Sequence, residues 1–558
     1  MTTYLMTNIT LMTIKKIACL LICIVLHSEL ISQNTVGVIS YNPTDTYNGL
    51  TLFTSQTETY LINSCGEVVN QWSSAYSSGH AVYLLEDGSL LRAGKVGNTT
   101  ITFGGTGGII EKFDWEGNIT WSYTISSDTT LQHHDIFPMP NGNILVLAVT
   151  VMSNAEAIQA GRDPGLLTDG ELYNEQIIEI EPVGVDQANI VWEWNINDHL
   201  IQDFDATKDN FGVVEDNPQL LDINFVNGLS GGNNWLHINS IQYNSDLDQI
   251  VMSTRHLCEI YIIDHSTTTA EAAGSTGGIY NKGGDFLYRW GNPQSYRQGT
   301  TNDQLLFGQH YPHWIPDGLP NAGQLILFNN GFLRTPSFSE IFILTPPVTA
   351  PGVYEYVPDT AYGPATTDYT YTNPNDPVNF FSRILSSAQV LPNGNILICD
   401  GDSGYFFEID ANENIVWEYI NPTGSAGIMS QGDDPEGVPN TAFRATKYDL
   451  NDPVFTGRDL TPGNPIELNS ENNAPCDVLS TNEFTFQNLT VYPNPATNII
   501  NVNSTKPIDK IEIYNNLGAL MNQVFDANNI NISDYDSGIY FLRISSETRS
   551  VTKKIIKH

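Results

Sequence analysis

A short motif recurs along most of the chain, and this repeat limits the possible folds more than any other feature. Each copy has a turn rich in glycine, asparagine or aspartate, then two apolar strands and, in most copies, a tryptophan. One clear copy is "LPNGNILICDGD" at 391–402, followed by "ENIVWEY" ending at Tyr419. The six copies span 49–72, 85–123, 139–194, 244–290, 319–357 and 391–419.

The repeat favours a β-propeller. Asn-Gly and Asp-Gly pairs between apolar segments predict hairpins, and repeats made only of strands are typical of propeller blades. A series of β-sandwiches would not produce such regular spacing between the turn and the tryptophan. We therefore expect an all-β fold, a six-bladed β-propeller over residues 33–470, with each tryptophan packed between neighbouring blades. The first copy is weak, so it could close the ring together with the C-terminal segment.

The N-terminus has the features of a signal peptide. Lys15 and Lys16 precede the apolar run "IACLLICIVL", and a plausible cleavage point follows Ser32. We assign residues 1–32 to this peptide and expect no transmembrane segment in the mature protein. Four cysteines follow it without any Cys-x-x-Cys pair, so a zinc site is not expected, whereas disulfides and buried thiols both remain open.

The chain is strongly acidic. Its 62 Asp and Glu against 23 Lys and Arg give a formal net charge of −39. Such a surface repels nucleic acid and anionic lipid, so a nucleic-acid partner is not expected. An anionic substrate would need local positive charge, which draws attention to the few arginine and histidine residues in the motifs.

The C-terminal part is compositionally different. Residues 471–484 read as a polar linker, and 485–558 alternate apolar and polar residues as a small β-sandwich would. This part resembles the type IX secretion C-terminal sorting domain of Bacteroidetes; an ordinary carbohydrate-binding sandwich is the alternative. The resemblance implies a partner, the type IX secretion machinery, and a secreted or cell-surface location. The matching residues are Tyr492–Pro495, Gly538–Phe541, Lys553, Lys554 and Lys557.

Four histidines occupy one equivalent position in successive repeats. His80, His134, His237 and His310 each precede a turn motif, whereas the sixth copy has "ILSSAQV" there. In a propeller, equivalent positions form a ring around the axis, so we expect these side chains to line a site. Such a ring suits metal binding or anion handling. We find no set of metal ligands in the motifs and expect no metal and no cofactor.

An ordered set of motifs resembles the bacterial arylsulfate sulfotransferases, which are six-bladed propellers. The resemblance covers about residues 75–465. It rests on "HHDIFPMPNGNIL", "WLHINSI", "IVMSTRH", "GQH", "LFNNGFLR" and "FRATKYDLNDPVFTGRDLTPG". It implies transfer of a sulfuryl group from an aryl sulfate to a phenolic acceptor, without nucleotide sulfate or metal, through a covalent histidine.

The resemblance also implies residue roles. His237 and His310 would bind sulfuryl oxygens and act as acid and base, and Arg334 would stabilise the transferring charge. For substrate binding, it implies Arg255 and Asn239, and the ring position adds His80 and His134. We expect His256 beside Arg255, and His133 beside His134, to face away because adjacent strand residues point to opposite faces.

This chain departs from the family at one position. The family's nucleophilic histidine lies downstream of the Arg334 motif, but no histidine occurs here between His313 and His558. Another ring histidine could carry the group, or donor and acceptor could react directly. Alternatively, the protein is a non-catalytic cell-surface propeller that binds an anionic ligand or partner protein. A hydrolase that releases sulfate to water is a further hypothesis.

Overall fold

The computed structural model describes residues 34–228, 232–470, 476, 489–504, 507–515, 518–525, 527–546 and 549–558. The chain divides into two compact units, residues 1–472 and 473–558. The predicted signal peptide, residues 1–32, lies outside the described residues. So does the predicted linker at 471–484, apart from Cys476.

The first unit consists of six antiparallel sheets, here called blades one to six and given from the innermost strand outwards. Blade one contains Ala445–Asp449, Gly49–Ser55, Glu58–Ile62 and Val68–Ser73. Blade two contains Ser78–Leu84, Leu90–Lys95, Gly108–Phe113 and Ile119–Thr124. Blade three contains Thr130–Pro138, Ile144–Ser153, Glu171–Val183 and Gln187–Asn195.

The remaining blades follow in chain order. Blade four contains Ile238–Asn244, Gln249–Thr254, Glu259–Asp264 and Tyr288–Trp290. Blade five contains His310–Trp314, Leu325–Asn329, Glu340–Leu344 and Tyr369–Tyr371. Blade six contains Ser387–Val390, Ile396–Asp400, Tyr405–Ile409 and Ile415–Ile420, with Gly37–Tyr41 as a fifth, outermost strand.

The blades form a closed ring, which confirms the six-bladed propeller. Each blade contacts the next in chain order, and blade six contacts blade one. Blade one is built from both ends of the unit, because Gly49–Ser55 pairs with Ala445–Asp449 in an antiparallel register. The second strand of blade three, "ILVLAVTVMS", is almost wholly apolar. This composition fits its burial, because its first six residues are buried.

Tryptophans join neighbouring blades, as the repeat predicts. The indole Nε1 of Trp72 in blade one donates to the backbone oxygen of Asp114 in blade two, at 2.8 Å. Trp121 of blade two donates in the same way to Gln187 of blade three, at 2.9 Å. The same contact recurs across the closure, from Trp417 of blade six to Ser64 of blade one.

The fifth repeat was delimited incorrectly from the sequence. The fifth copy, 319–357, should end with the outer strand of blade five, but Val353–Tyr354 near its end pairs with Val348–Ala350 in a separate hairpin. The outer strand of the blade is Tyr369–Tyr371. A long insertion carries the hairpin, and its alternating aromatic residues resemble those of a blade strand.

Short elements lie in the connections. The helices are α1, Asn154–Gln159, and α2, Thr269–Ala272, each with a capping box. Two further strand pairs are Leu200–Ile201 with Leu221–Asp222 and Thr423–Gly424 with Gly427–Ile428. The 3₁₀ turns are Pro164–Leu166, Ile196–His199, Pro293–Tyr296, Pro377–Asn379 and Pro453–Phe455.

Three cysteines of the first unit are described. Cys258 and Cys399 are buried thiols, and Cys65 is disulfide-bonded. Within the described ranges, no helix is long and apolar enough to cross a membrane.

The second unit consists of two small β-sheets around an apolar core that includes Ile500, Ile511 and Leu542. One sheet contains Thr490–Tyr492, Ile499–Asn503 and Asn529–Asn531. The other contains Leu520–Phe525, Lys510–Asn515, Gly538–Ser546 and Arg549–Lys557.

Candidate functional site

Three of the ring histidines have a backbone conformation that residues other than glycine seldom adopt. The φ angles of His80, His134 and His237 are +91°, +47° and +51°. At each of them, or directly beside it, the pairing of the innermost strand with the second strand shifts register. Such a bulge redirects a side chain out of the strand alternation, and bulges of this kind are frequent next to active sites.

The side chains of these histidines lie together. The ring centroids of His134 and His237 are 4.6 Å apart, and those of His80 and His134 are 5.6 Å apart. The ring of Phe443 lies 5.0 Å from that of His80. We call His80, His134, His237 and His310 the imidazole cluster, because a positive charge on His310 would also lower the pKa of His134.

All four imidazoles of the cluster are held in the neutral form. Burial lowers the pKa of His80 to about 4 and that of His310 to about 3, with smaller contributions from nearby positive charge. Burial, and then the neighbouring imidazoles, hold the pKa of His134 well below its usual range. The pKa of His237 is likewise well below its usual range, because of burial, His256 and Arg255.

A buried carboxylate is connected to the cluster through His133. The Nε2 of His133 lies 2.9 Å from Oε2 of Glu175, and its Nδ1 lies 2.9 Å from Nδ1 of His134. Because His133 is buried and contacts His134 directly, the expectation that it faces away from the site was wrong. The bulge at His133 and His134 breaks the alternation on which that expectation rested.

His256 also contacts the cluster. Its ring stacks on that of His237 at a centroid distance of 4.6 Å, and its Nδ1 donates to the backbone oxygen of Asn234. The expectation that His256 turns away was wrong, because Arg255 and His256 follow the strand Gln249–Thr254 in a turn. The side-chain amide of Asn234 donates to Nδ1 of His237 at 2.7 Å.

His310 is oriented by a well-anchored amide. Its Nδ1 lies 2.7 Å from Oδ1 of Asn330. The Nδ2 of Asn330 donates to the backbone oxygens of Ser382 and Leu385, which fixes the orientation of the amide. His310 therefore carries its hydrogen on Nδ1, and this hydrogen is donated to Asn330.

Asn239 lies at the junction of blades four and five. It is fully buried, and its Nδ2 donates to the backbone oxygen of Gln309, the residue before His310. This hydrogen bond joins blades four and five, and the Nδ2 of Asn239 therefore does not orient His237.

The two predicted arginines have different environments. Arg255 lies close enough for its charge to lower the pKa of His237 and His310. Its guanidinium makes one long hydrogen bond, 3.5 Å, to the backbone oxygen of Arg383, and it packs on Phe332. Arg334 instead pairs with Glu340 at 2.7 Å and lies on the ring of Phe338. In the described part of the chain, none of its hydrogen bonds reaches the cluster.

One arginine beside the cluster was missed in the sequence. Arg444, directly before the innermost strand of blade one, pairs with buried Asp135 at 2.5 Å and donates to the hydroxyl of Tyr83. Its neighbour Phe443 contacts both His80 and His134. The position of Arg444 in the sequence could have identified it. Arg444 directly precedes the closing strand, where other blades carry a histidine.

Blade six carries serines where the late histidine was sought. Ser386 has a φ of +93°, and its hydroxyl donates to that of Ser382 at 2.8 Å. Among the described residues, no group of three His, Cys, Asp or Glu side chains could hold a metal ion.

Solved structures with detectable similarity are distant. A protein of unknown function from Bacteroides caccae is 10% identical at a TM-score of 0.36, over 67% of this chain and 93% of that chain. Catalytically inactive virginiamycin B lyase from Staphylococcus aureus with quinupristin is 12% identical at a TM-score of 0.32, over 69% and 88%. The Pseudomonas aeruginosa periplasmic gluconolactonase PpgL is 10% identical at 0.31, over 67% and 97%.

Family models match both units. No curated protein matches the chain. Residues 490–558 match the secretion system C-terminal sorting domain, so the chain has a type IX export signal and is secreted or displayed at the cell surface. Residues 35–431 match the arylsulfotransferase (ASST) model. This match covers more than half of the sequence, and the chain therefore belongs to the arylsulfotransferase (ASST) family.

Proposed function

We propose that the chain is an exported sulfotransferase that moves a sulfuryl group from an aryl sulfate to a phenolic acceptor. The observation that carries this proposal is Arg255, a nearly buried cation beside the neutral imidazoles of His237 and His310. Arg92, Arg289, Arg334 and Arg444 each contact a carboxylate. Arg162 is buried without an ion pair among the described residues, but it donates to the backbone oxygen of Ile223 and packs on Trp235. Arg255 has no carboxylate within ion-pair distance in the described ranges, although the chain carries a net charge of −39.

An unpaired cation in a poorly solvated site favours an anionic ligand. Burial lowers the pKa of Arg255, which means that its charge is costly there without a counter-ion. A sulfate ester carries one negative charge and three oxygens that accept hydrogen bonds. Imidazole N–H groups and a guanidinium can hold these oxygens while charge spreads over them during transfer.

The residue roles follow from this arrangement. Arg255 and His237 would bind the sulfuryl oxygens, and His310 and His80 would line the remaining sides of the group. Asn239 would maintain the junction that positions His310. Arg334 would act through the loop 331–338, since its own charge is paired with Glu340.

Turnover of a chromogenic aryl sulfate such as 4-nitrophenyl sulfate tests the proposal. We expect nitrophenol release that accelerates when a phenol is added and that is insensitive to chelators. Arg255→Gln should lower kcat/KM about 100-fold, because it removes a charge-assisted contact to the transferring group. Arg458→Gln, which removes an exposed contact to the backbone of Asp87, is the matched control and should retain activity.

A non-catalytic anion-binding protein is the second candidate. The serines in place of a late histidine favour it. It predicts that aryl sulfate binds in an Arg255-dependent manner and is recovered intact. Release of sulfate at a rate independent of added phenol would instead indicate a hydrolase.

A further inference from the structure

We propose that a layer of side chains across the propeller axis keeps water away from the sulfuryl group, and so favours a phenol over water as the acceptor. This inference rests on the proposed sulfuryl transfer. The layer, here called the axial layer, consists of Tyr83, Asp135, Gln242, Tyr311 and Arg444. Four of these residues lie on innermost strands of different blades, and Arg444 directly precedes the innermost strand of a fifth.

Contacts within the axial layer join blades that are not neighbours in the ring. Arg444 of blade one pairs with Asp135 of blade three at 2.5 Å, and its guanidinium carbon lies 3.9 Å from the ring centroid of Tyr311 of blade five. The hydroxyl of Tyr83 in blade two accepts from Nε2 of Gln242 in blade four, at 2.9 Å. Because the innermost strands surround the axis, side chains that join such blades must reach into the central channel.

The axial layer lies directly beside the imidazole cluster. Asp135 immediately follows His134 in the chain, and Tyr311 immediately follows His310. In both strands the pairing shifts register at these residues, so that consecutive side chains can both face the axis. The innermost strands then run on to their hairpin turns at the other end of the blades. The layer therefore separates the cluster from that end of the channel.

The axial layer has little contact with solvent. Asp135, Gln242 and Arg444 are at most 6% exposed, and the two tyrosines are half-buried. The oxygens of Asp135 also accept backbone N–H groups, Oδ1 from Ile136 and Oδ2 from Ile241. A buried ion pair with such additional hydrogen bonds is held in one geometry, so the layer is a stable obstacle to water.

Access of water determines where the sulfuryl group goes. Transfer to a phenol forms a bond from the phenol oxygen to sulfur, the bond from sulfur to the departing group breaks, and the phenol proton passes to solvent. Water can attack in the same manner, lose one proton and yield hydrogen sulfate. Since water is far more abundant than any phenol, a transferase must restrict its approach. The axial layer closes the approach through the central channel.

The partition of the sulfuryl group between phenol and water tests this inference. The protein is supplied with 4-nitrophenyl sulfate and a fixed concentration of phenol, and phenyl sulfate and inorganic sulfate are measured by ion chromatography. The quantity compared is the inorganic sulfate formed per nitrophenol released. For the wild type we expect phenyl sulfate to account for most of the nitrophenol.

Tyr311→Ala removes one ring from the axial layer. We expect it to raise the sulfate formed per nitrophenol about 10-fold or more, because water then reaches the cluster through the channel. Tyr243→Ala is the matched control and should keep the wild-type ratio. Tyr243 is also a half-buried tyrosine on an innermost strand, but its hydroxyl donates to Asp248, outside the layer.

Two further variants separate the layer from its neighbours in the chain. Gln242→Ala removes a smaller part of the layer, at a residue that is not adjacent in sequence to any cluster histidine, and should raise the ratio as well. Tyr311→Phe retains the ring and should keep the wild-type ratio. Circular dichroism confirms that each variant is folded, and Gln242→Ala serves as the test if Tyr311→Ala does not fold.

The outcomes distinguish this inference from the function on which it rests. If Tyr311→Ala and Gln242→Ala partition the group as the wild type does, the axial layer does not exclude water, and the sulfotransferase proposal stands. An equal rise for Tyr243→Ala would also overturn the inference, because general loosening of the propeller would explain it. If the wild type forms only inorganic sulfate at every phenol concentration, or releases no nitrophenol, both proposals fail.

Discussion

At the scale of single residues, the main property of the site is that the four histidines of the imidazole cluster remain neutral. Their pKa values in the folded protein lie below the value of about 6.5 expected in an unfolded chain. The folded state therefore binds fewer protons than the unfolded state as the solution is acidified. The stability that these groups contribute is complete above about pH 6.5 and is lost as the pH falls towards their folded pKa values.

The same shifts predict an unusual pH profile for activity. The imidazoles of the cluster become protonated only below these folded pKa values, so kcat/KM should remain on its plateau down to about pH 5. A histidine of ordinary pKa would halve activity near pH 6.5. The profile should be measured with 4-nitrophenyl sulfate, after circular dichroism has shown that the protein is folded at each pH. A half-maximal point near pH 6.5 would contradict this prediction.

At the scale of structural elements, a loop and an innermost strand together define the room around His134. Gly105 in this loop has a φ of +91°, and its backbone oxygen accepts from the N–H of His134 at 2.8 Å. Added bulk at this residue would meet the imidazole directly. The loop therefore determines where the ring can lie.

Gly105→Ala should displace the imidazole of His134 and lower kcat about 100-fold, because small misplacements of the groups that line a site are costly. It should also destabilise the fold by about 1 kcal/mol through its left-handed backbone. Gly117→Ala is the matched control, since Gly117 has a φ of +87° with no atom near an added methyl group. We expect Gly105→Ala to lose more stability in urea unfolding than Gly117→Ala, because only the first methyl group overlaps a buried side chain. Equal kcat values would show that Gly105 has no role in the site.

The elements also show how far the sequence alone could predict this protein. Hairpin turns and blade tryptophans are local patterns, so the six blades and the closing strand were predictable from them. The ring position of His80, His134, His237 and His310 followed from the repeat. The roles of His133 and His256 did not, because the bulge at 133–135 and the turn at 255–258 change the direction in which these side chains point. Glu175 was missed because its partner lies 42 residues away in the chain.

At the scale of the whole molecule, a buried ion pair connects blades six and one. The Nζ of Lys447, on the closing strand, lies 2.6 Å from Oε2 of Glu408, and both side chains are fully buried. Asn395 and the backbone N–H of Tyr47 donate to the other oxygen of Glu408. The pair therefore lies where the ring closes.

Lys447→Met should destabilise the propeller by about 3–5 kcal/mol, because it leaves a buried carboxylate without its cation. The double variant Lys447→Met/Glu408→Gln should recover much of this loss, since no unpaired charge remains. Urea unfolding followed by tryptophan fluorescence measures both. If the double variant is no more stable than the single one, the ion pair is not the source of the effect.

Closure by the last strand also has a kinetic consequence. Leu50 and Tyr448 are paired, although almost the entire propeller sequence separates them. A loop of that length closes slowly, and the entropy of closure is lost before the new contacts form. Blades two to five can assemble from neighbouring segments during synthesis, whereas blade one must wait for the end of the domain. Until then the chain is an open arc with unpaired strand edges, so ring completion is expected to be the slowest step in folding and the period of greatest aggregation risk.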